Sequence, residues 1–297
     1  MHAVKHLFTR HSYAACLALV AALIGFAVAR LPLASLAVGI GGIALLIGIL
    51  LEPLVGMGAA LVIGPLRAWL EIVMPGWVPH IGQAVLLLTL GSWLGRKVLT
   101  RDSEMVFPPL VGSLLRFLVF GLLSLWQPVD VWDGVLEFLK WSQVLVIAIV
   151  VYAAFRRDVR NVPMMVGLLA LSAIAQSAVG LWQFGLQDEG VSAFAINDRF
   201  YRAYGTFQQP NPYAGMLGLV GGLLLGTAVG LVLHRWRDSD RAGAVRVGLL
   251  LIVPVGLVLA GLLASWSRGG WMGFGAAMVV LVALTPRRPA WAFTLLL

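Results

Sequence analysis

The chain has 297 residues, 60% of them hydrophobic and 11% charged, with a mean hydropathy of +0.94. A soluble domain carries roughly 25% charged residues, so a water-soluble globule is excluded and the bilayer is the solvent for most of the surface. The net charge of +8 comes without a basic patch interleaved with aromatics at recognition spacing, which excludes nucleic acid as a partner.

Apolar runs able to cross ~30 Å of hydrocarbon as helices recur along the whole chain. They predict crossings near Ser12 to Ala29, Leu33 to Leu51, Leu54 to Val73, Ile81 to Gly95 and Pro108 to Trp126. Further crossings follow near Val135 to Phe155, Val162 to Gly185, Pro212 to Leu233, Val247 to Ala264 and Gly270 to Leu284. An eleventh run starts near Ala290 and stops at Leu297, which predicts a fragment of a longer protein. The expectation is therefore an all-α, polytopic transmembrane bundle of about ten complete crossings plus a truncated eleventh, forming one integral membrane domain over residues 1–297. Glu52-Pro53 reads as a tight turn, because the residue before proline resists helix. The first run lacks a small-residue cleavage site and reads as a retained helix. Lone Cys16 gives neither a disulfide framework nor a thiolate metal site.

The connecting loops orient the chain. Fourteen of the 21 lysines and arginines fall in alternate loops, among them Arg96, Lys97 and Arg101, then Arg156, Arg157 and Arg160, then Arg235, Arg237, Arg241 and Arg246. Basic residues collect on the cytoplasmic side of a membrane, so the N-terminus is expected in the cytoplasm. The opposite side keeps only Arg30, Arg199, Arg202 and Arg268. Glycines such as Gly215, Gly218 and Gly222 recur at helical spacing and suit close helix packing. No phosphate-cradling GxxxxGK[ST] string exists, so ATP hydrolysis on this chain is not expected.

Arg202 and Arg268 are the cations that most need a reason. Arg202 opens RAYGTFQQPNPYAG, at the end of the long outer loop from Leu186 to Gln209, and Arg268 lies in SWSRGGWMG. Within the first string Gly205 frees the backbone, Asn211 suits a helix cap and Pro212 suits a first helical turn. A guanidinium presents a rigid fork of donors that matches phosphate oxygens and stays charged at any physiological pH. Two such groups beside helix ends at the outer surface fit a lipid-borne pyrophosphate, the alternative being that both snorkel to headgroups.

The strings Arg202, Gly205, Thr206, Phe207, Pro210, Asn211 and then Ser267, Arg268, Gly269 resemble the O-antigen ligase and Wzy-type polymerase family of bacterial envelope proteins. The interval between them, a helix in, a basic loop and a helix out, is similar as well. The resemblance covers roughly the last third of the chain and makes residues 186–297 the N-terminal part of the ligase-like region, with the remainder missing. It implies a metal-independent, cofactor-free glycosyltransferase of GT-C-like fold, multi-pass in the bacterial inner membrane and working on its periplasmic face. Such an enzyme transfers or polymerises a glycan from undecaprenyl pyrophosphate onto a lipid, glycan or protein acceptor. Arg202 and Arg268 would then bind the pyrophosphate and stabilise the leaving group, supported by Gly205, Asn211 and Ser267.

The chain departs from that family in ending before the second periplasmic loop and its histidine, so no catalytic base is assigned and the segment alone is expected to be inactive in transfer. Of its histidines only His80 faces outward, where it reads as an interfacial residue beside Trp77. Arg67 and Glu71, four apart on one helix, read as a structural pair, as do Glu137 and Lys140. Arg116, inside an apolar run, is either functional or the partner of a carboxylate such as Glu52. A polytopic transporter or flippase of envelope precursors is the alternative, although no self-similarity between the halves supports it.

Overall fold

The computed structural model describes residues 33–73, 81–102, 104–126, 130–187, 190–197 and 199–284. Nine helices account for most of them: α1 (Leu33–Leu51), α2 (Pro53–Val73), α3 (Ile81–Leu99), α4 (Val111–Ser124), α5 (Val131–Arg157), α6 (Asn161–Gly185), α7 (Pro210–Arg237), α8 (Arg241–Ala264) and α9 (Arg268–Leu284). Each coincides with an apolar run of the sequence. The expected first crossing, the eleventh, Cys16 and His80 lie outside the described residues. Four helices, α5 to α8, are long and apolar enough to cross a membrane. The helix expected from Pro108 to Trp126 is shorter than its apolar run, since Pro108 and Pro109 precede its first turn. Its 14 residues reach about 21 Å at 1.5 Å per residue, short of the ~30 Å of hydrocarbon.

Among the described residues the departure from an all-helical chain is a two-stranded antiparallel ribbon between α6 and α7. Strand β1 (Ala195–Ile196) pairs with β2 (Phe200–Tyr201). Asn197, at φ 51°, takes the left-handed conformation that asparagine tolerates, and so reverses the chain. The ring of Phe200 stacks on Phe184 of α6 at 5.4 Å between centroids, which ties the ribbon to the end of that helix.

The main core lies among α6, α7 and α8, built from Ala173, Tyr213, Leu217, Val220, Val258 and Leu262. Helices α7 and α8 are antiparallel: a Cβ at Gly221 would lie 3.4 Å from Val258 Cγ1, and one at Gly248 3.7 Å from Val232 Cγ2. Helix α9 runs parallel to α7 and in step with it. Gly218 faces Gly270 and Phe274, Gly222 faces Ala277 and Met278, and Gly226 faces Leu281. Small residues let these backbones approach, as expected for helices in lipid, although Gly215 faces open space. A second cluster of Leu54, Met57, Val150 and Met165 joins α2, α5 and α6.

The first half is docked onto the second at a proline inside α2. Pro65 inside α2 lacks an N–H, so the Leu61 carbonyl loses its helical donor. Ser172 Oγ of α6 donates to that oxygen at 3.2 Å. Pro163, near the start of α6, needs no such repair, because the first helical N–H groups have no intrahelical partner anyway.

Glu52-Pro53 forms the expected turn, but Glu52 pairs with Arg96 at 3.0 Å and not with Arg116. Arg116 instead sits on the exposed face of α4, because α4 packs chiefly on α5 and no carboxylate of α5 is paired with it. Glu137 and Lys140 do form their ion pair. The Arg67 side chain lies outside the described ones, and the Arg67–Glu71 pairing with it.

Candidate functional site

Antiparallel neighbours bring four helix ends to one place: the C-terminal ends of α6 and α8 and the N-terminal ends of α7 and α9. The opposite ends of these helices carry Arg160, Arg235, Arg237 and Arg241. The segment from Arg202 to Gln209 crosses the first end, and its course is set mainly by two buried amides of α6. Gln183 Oε1 accepts from the backbone N–H of Tyr204 at 3.1 Å and of Gly205 at 2.7 Å, while its Nε2 donates to the Gly205 carbonyl at 2.9 Å. Gln176 Oε1 accepts from Thr206 N–H at 3.0 Å, and its Nε2 donates to Thr206 Oγ1 at 2.8 Å. The Thr206 hydroxyl donates in turn to the Pro65 carbonyl at 2.6 Å. Buried backbone polar groups must find partners, and in this segment side chains supply them.

Gly205 is required where it stands. Its φ of 54° is left-handed, and a Cβ there would lie 2.5 Å from Gln176 Oε1 and 2.8 Å from the Tyr213 ring. Such separations are inside van der Waals contact.

Arg202 follows β2 directly and is half-buried. Its backbone N–H donates to Phe194 O at 2.9 Å, and the next residue, Ala203, donates to Ala264 O at 2.9 Å. The guanidinium Nε donates to the Ser265 carbonyl at 3.0 Å, and Nη2 to Asn211 Oδ1 at 3.3 Å. Arginine has five N–H donors, so several remain for a ligand while the side chain is held from two sides.

Asn211 does not cap α7, contrary to the sequence expectation. The helix begins two residues earlier than expected, at Pro210, with Gln209 preceding it without a side-chain cap. Proline at the first position fits because that N–H is unpaired in any helix. Asn211 Oδ1 is instead a shared acceptor, taking Arg202 on one side and Ser267 Oγ on the other at 3.0 Å.

Ser267 stands immediately before α9, and its Oγ also accepts from Gly270 N–H at 3.3 Å. It therefore satisfies one of the free N–H groups of that helix start while fixing Asn211. The turn that delivers it is tight: Trp266 takes φ 50°, a conformation unusual for a bulky residue. Trp271 Nε1 donates to Leu262 O at 3.0 Å, bracing the turn from the far side.

Arg268 is the first residue of α9, exposed and without an ion-pair partner among the described residues. The same holds for Arg202: none of the ion pairs among the described residues uses either one. Two parallel helices present their N-terminal ends here, each with a positive partial charge, next to two arginines. The structure thus connects Arg202, Asn211 and Ser267 by hydrogen bonds, places Arg268 adjacent in the chain, and sets Gly205 at the sharp bend behind them. The arrangement sets two cations that form no ion pair among the described residues beside two helix starts and beside the ends of α6 and α8, whose Ser265 carbonyl already takes Arg202.

Gln176, Gln183, Ser265 and Trp271 belong to the site although sequence reasoning passed over them. The signal for the glutamines was present: two amides seven residues apart lie on one face of an otherwise apolar helix, where a buried amide needs a partner. No cluster of metal-ligating side chains occurs among the described residues. No family model, curated protein or solved structure matches the chain.

Proposed function

We propose that the chain binds the pyrophosphate of a polyprenyl-linked glycan at the helix ends around Arg202 and Arg268, and that it works as a glycosyltransferase of the O-antigen ligase or polymerase type. The observation that supports this most is the convergence of two helix N-termini with two arginines unpaired by carboxylate. Such a surface is suited to a dianionic group. In this reading the bundle has about ten crossings with a GT-C-like fold, lies in the bacterial inner membrane with its N-terminus in the cytoplasm, and opens the site to the periplasm. Arg202 is pre-oriented by Ser265 and Asn211, so little side-chain freedom is lost when phosphate binds. As the bond to the glycan breaks, charge grows on the leaving pyrophosphate, and fixed donors stabilise it there more than in the ground state. The acceptor hydroxyl attacks the anomeric carbon with inversion, and its proton passes to a base outside the residues described.

The test is direct. Purified wild-type chain in neutral detergent should bind undecaprenyl pyrophosphate, and Arg202→Ala or Arg268→Ala should each weaken binding on the order of tenfold or more. Lysine at either position should restore it only in part, since an ammonium lacks the fork. Equal binding by wild type and both alanine variants would reduce the two residues to headgroup anchors. In cells, loss of transfer should leave the lipid-linked glycan on the outer face of the membrane, whereas accumulation on the inner face would indicate a flippase instead.

A further inference from the structure

At the basic end of the bundle, remote from the site above, lies a cavity of about 770 Å³ bounded by the Glu52 turn, the end of α3, the end of α5 and the start of α6. Its wall carries Arg96, Lys97, Arg156 and Arg157 over a floor that includes Trp93 and Val150. Three of the four carboxylates around it are already engaged. Glu52 pairs with Arg96, Asp102 with Lys97 at 2.9 Å, and Asp158 with Arg160 at 3.0 Å. The fourth, Glu104, is exposed, with its backbone tied down by Asp102 and Lys97. The lining thus holds four cations and four carboxylates, and Arg101 and Arg160 flank it in the chain, next to Asp102 and Asn161. Arg156 and Arg157 are exposed and form no ion pair among the described residues.

A second depression adjoins this cavity and shares Arg96 with it. It is an apolar groove of about 460 Å³ between α1 and α3, lined by Leu50, Leu87, Leu88, Gly91, Gly95 and Leu99 along with Ser92. Gly91 and Gly95 keep it open: a Cβ at either would meet no atom within 4 Å. From Leu99 to Leu87 the groove follows α3 for about 18 Å at 1.5 Å per residue. That is close to one leaflet's half of the ~30 Å hydrocarbon thickness. A basic end normally lies against the headgroups, so the charged cavity is placed for a headgroup and the groove that meets it at Arg96 for an acyl chain.

We infer that this cavity and groove form a binding site for an anionic phospholipid of the leaflet that the basic end faces, its phosphate against Arg156, Arg157 and Arg96 and one acyl chain along Gly91 and Gly95. Charge complementarity selects the anionic headgroup, and the groove selects a lipid over a free phosphate. Basic recesses between helices are a recognised means of holding acidic headgroups. Seated there, the lipid joins α1 and α3 to α5 and α6.

The test uses the purified chain in neutral detergent, titrated with phosphatidylglycerol, with phosphatidylcholine of the same acyl chains, and with glycerol 3-phosphate, binding being read by native mass spectrometry and by thermal shift. Phosphatidylglycerol should bind on the order of tenfold more tightly than phosphatidylcholine, the scale expected of two arginines near an anionic headgroup. Arg156→Gln with Arg157→Gln should abolish that preference; both side chains are exposed and unpaired, so the fold should persist. Gly91→Leu, which enters open space, should weaken both lipids and leave the preference intact. Equal binding of the two lipids to wild type would overturn the proposal. So would glycerol 3-phosphate binding as tightly as phosphatidylglycerol and unaffected by Gly91→Leu, an outcome that assigns the cavity to a free phosphate.

Discussion

Gln183→Leu should loosen the segment that carries Arg202 more than any other single change in α6. The side chain is only 6% exposed and satisfies three backbone groups, the N–H of Tyr204, the N–H of Gly205 and the carbonyl of Gly205. Leucine fits the space but leaves all three without their partner. A buried polar group left unsatisfied costs about 1–3 kcal/mol, so even the lower bound for three groups is about 3 kcal/mol. Since about 1.4 kcal/mol is a factor of ten, local opening should rise on the order of a hundredfold. Hydrogen exchange in detergent micelles measures this directly at the amides of Ala203 to Thr206. Gln176→Leu provides the internal comparison, because it orphans only the Thr206 N–H, the Thr206 hydroxyl still being held by Pro65 O. Its effect should be about a third as large in free energy. Unchanged protection of the Tyr204 and Gly205 amides in Gln183→Leu would refute the reasoning, and equal effects of the two variants would refute the accounting by groups.

Gly205→Ala combines a left-handed backbone angle, costing about 1–2 kcal/mol for a residue with a Cβ, with a clash against Gln176 and Tyr213; thermal unfolding should fall by several degrees, whereas Gly215→Ala, which faces open space, should leave it unchanged. At the basic end, the hydrogen bond from Lys97 holds the Asp102 carboxyl below the usual aspartate range. Its contribution to stability is therefore complete above the ordinary aspartate pKa and is lost only as pH falls through the lowered value. Exchange of the Glu104 amide, which donates to Asp102 Oδ1, should stay slow to a lower pH than in a Lys97→Met variant, and coincident pH profiles would contradict the assignment. Single cysteines replacing Asp158 and Asp240 in a chain whose Cys16 has been removed should react with an impermeant reagent from one side of the membrane, and cysteines at Asn197 and the exposed Gly269 from the other. Labelling of Asn197 and Asp240 from the same side would break the proposed topology.

The helices were legible because an apolar run in lipid has few alternatives: its backbone must be satisfied internally, and helix is the local way to do it. The position of Gly205 was legible for a similar reason, a bend having chemical requirements that few residues meet, whereas Ser267 was singled out only by the resemblance of its string. Asn211 shows the limit of such reasoning. An asparagine beside Pro212 suits a cap, but Pro210 claims the helix start, and what Asn211 does instead depends on Arg202 and Ser267 arriving from nine residues before it and 56 after it. The ribbon at Ala195 to Tyr201 escaped notice because two-residue strands have no period to detect. The partner of Glu52 stayed open because sequence places more than one cation within reach of its turn, and only the packing of α1 against α3 decides for Arg96.

The first half of the chain, which by sequence carries only generic apolar helices, reaches the site through one proline. Removing the N–H at position 65 frees the Leu61 carbonyl, and Ser172 of α6 binds it; the Pro65 carbonyl itself takes the Thr206 hydroxyl. In hydrocarbon an unsatisfied carbonyl is costly, so a proline inside a helix is tolerated where neighbours satisfy the freed group. The repair therefore fixes α2 against α6 and against the segment that carries Arg202. That segment is thus held by α6 through two glutamines, by α2 through Thr206, and by the α8–α9 turn through Ser265. Three separate attachments within eight residues leave the guanidinium little freedom before any ligand arrives, and preorganisation of this kind lowers the ordering cost of binding without additional charge.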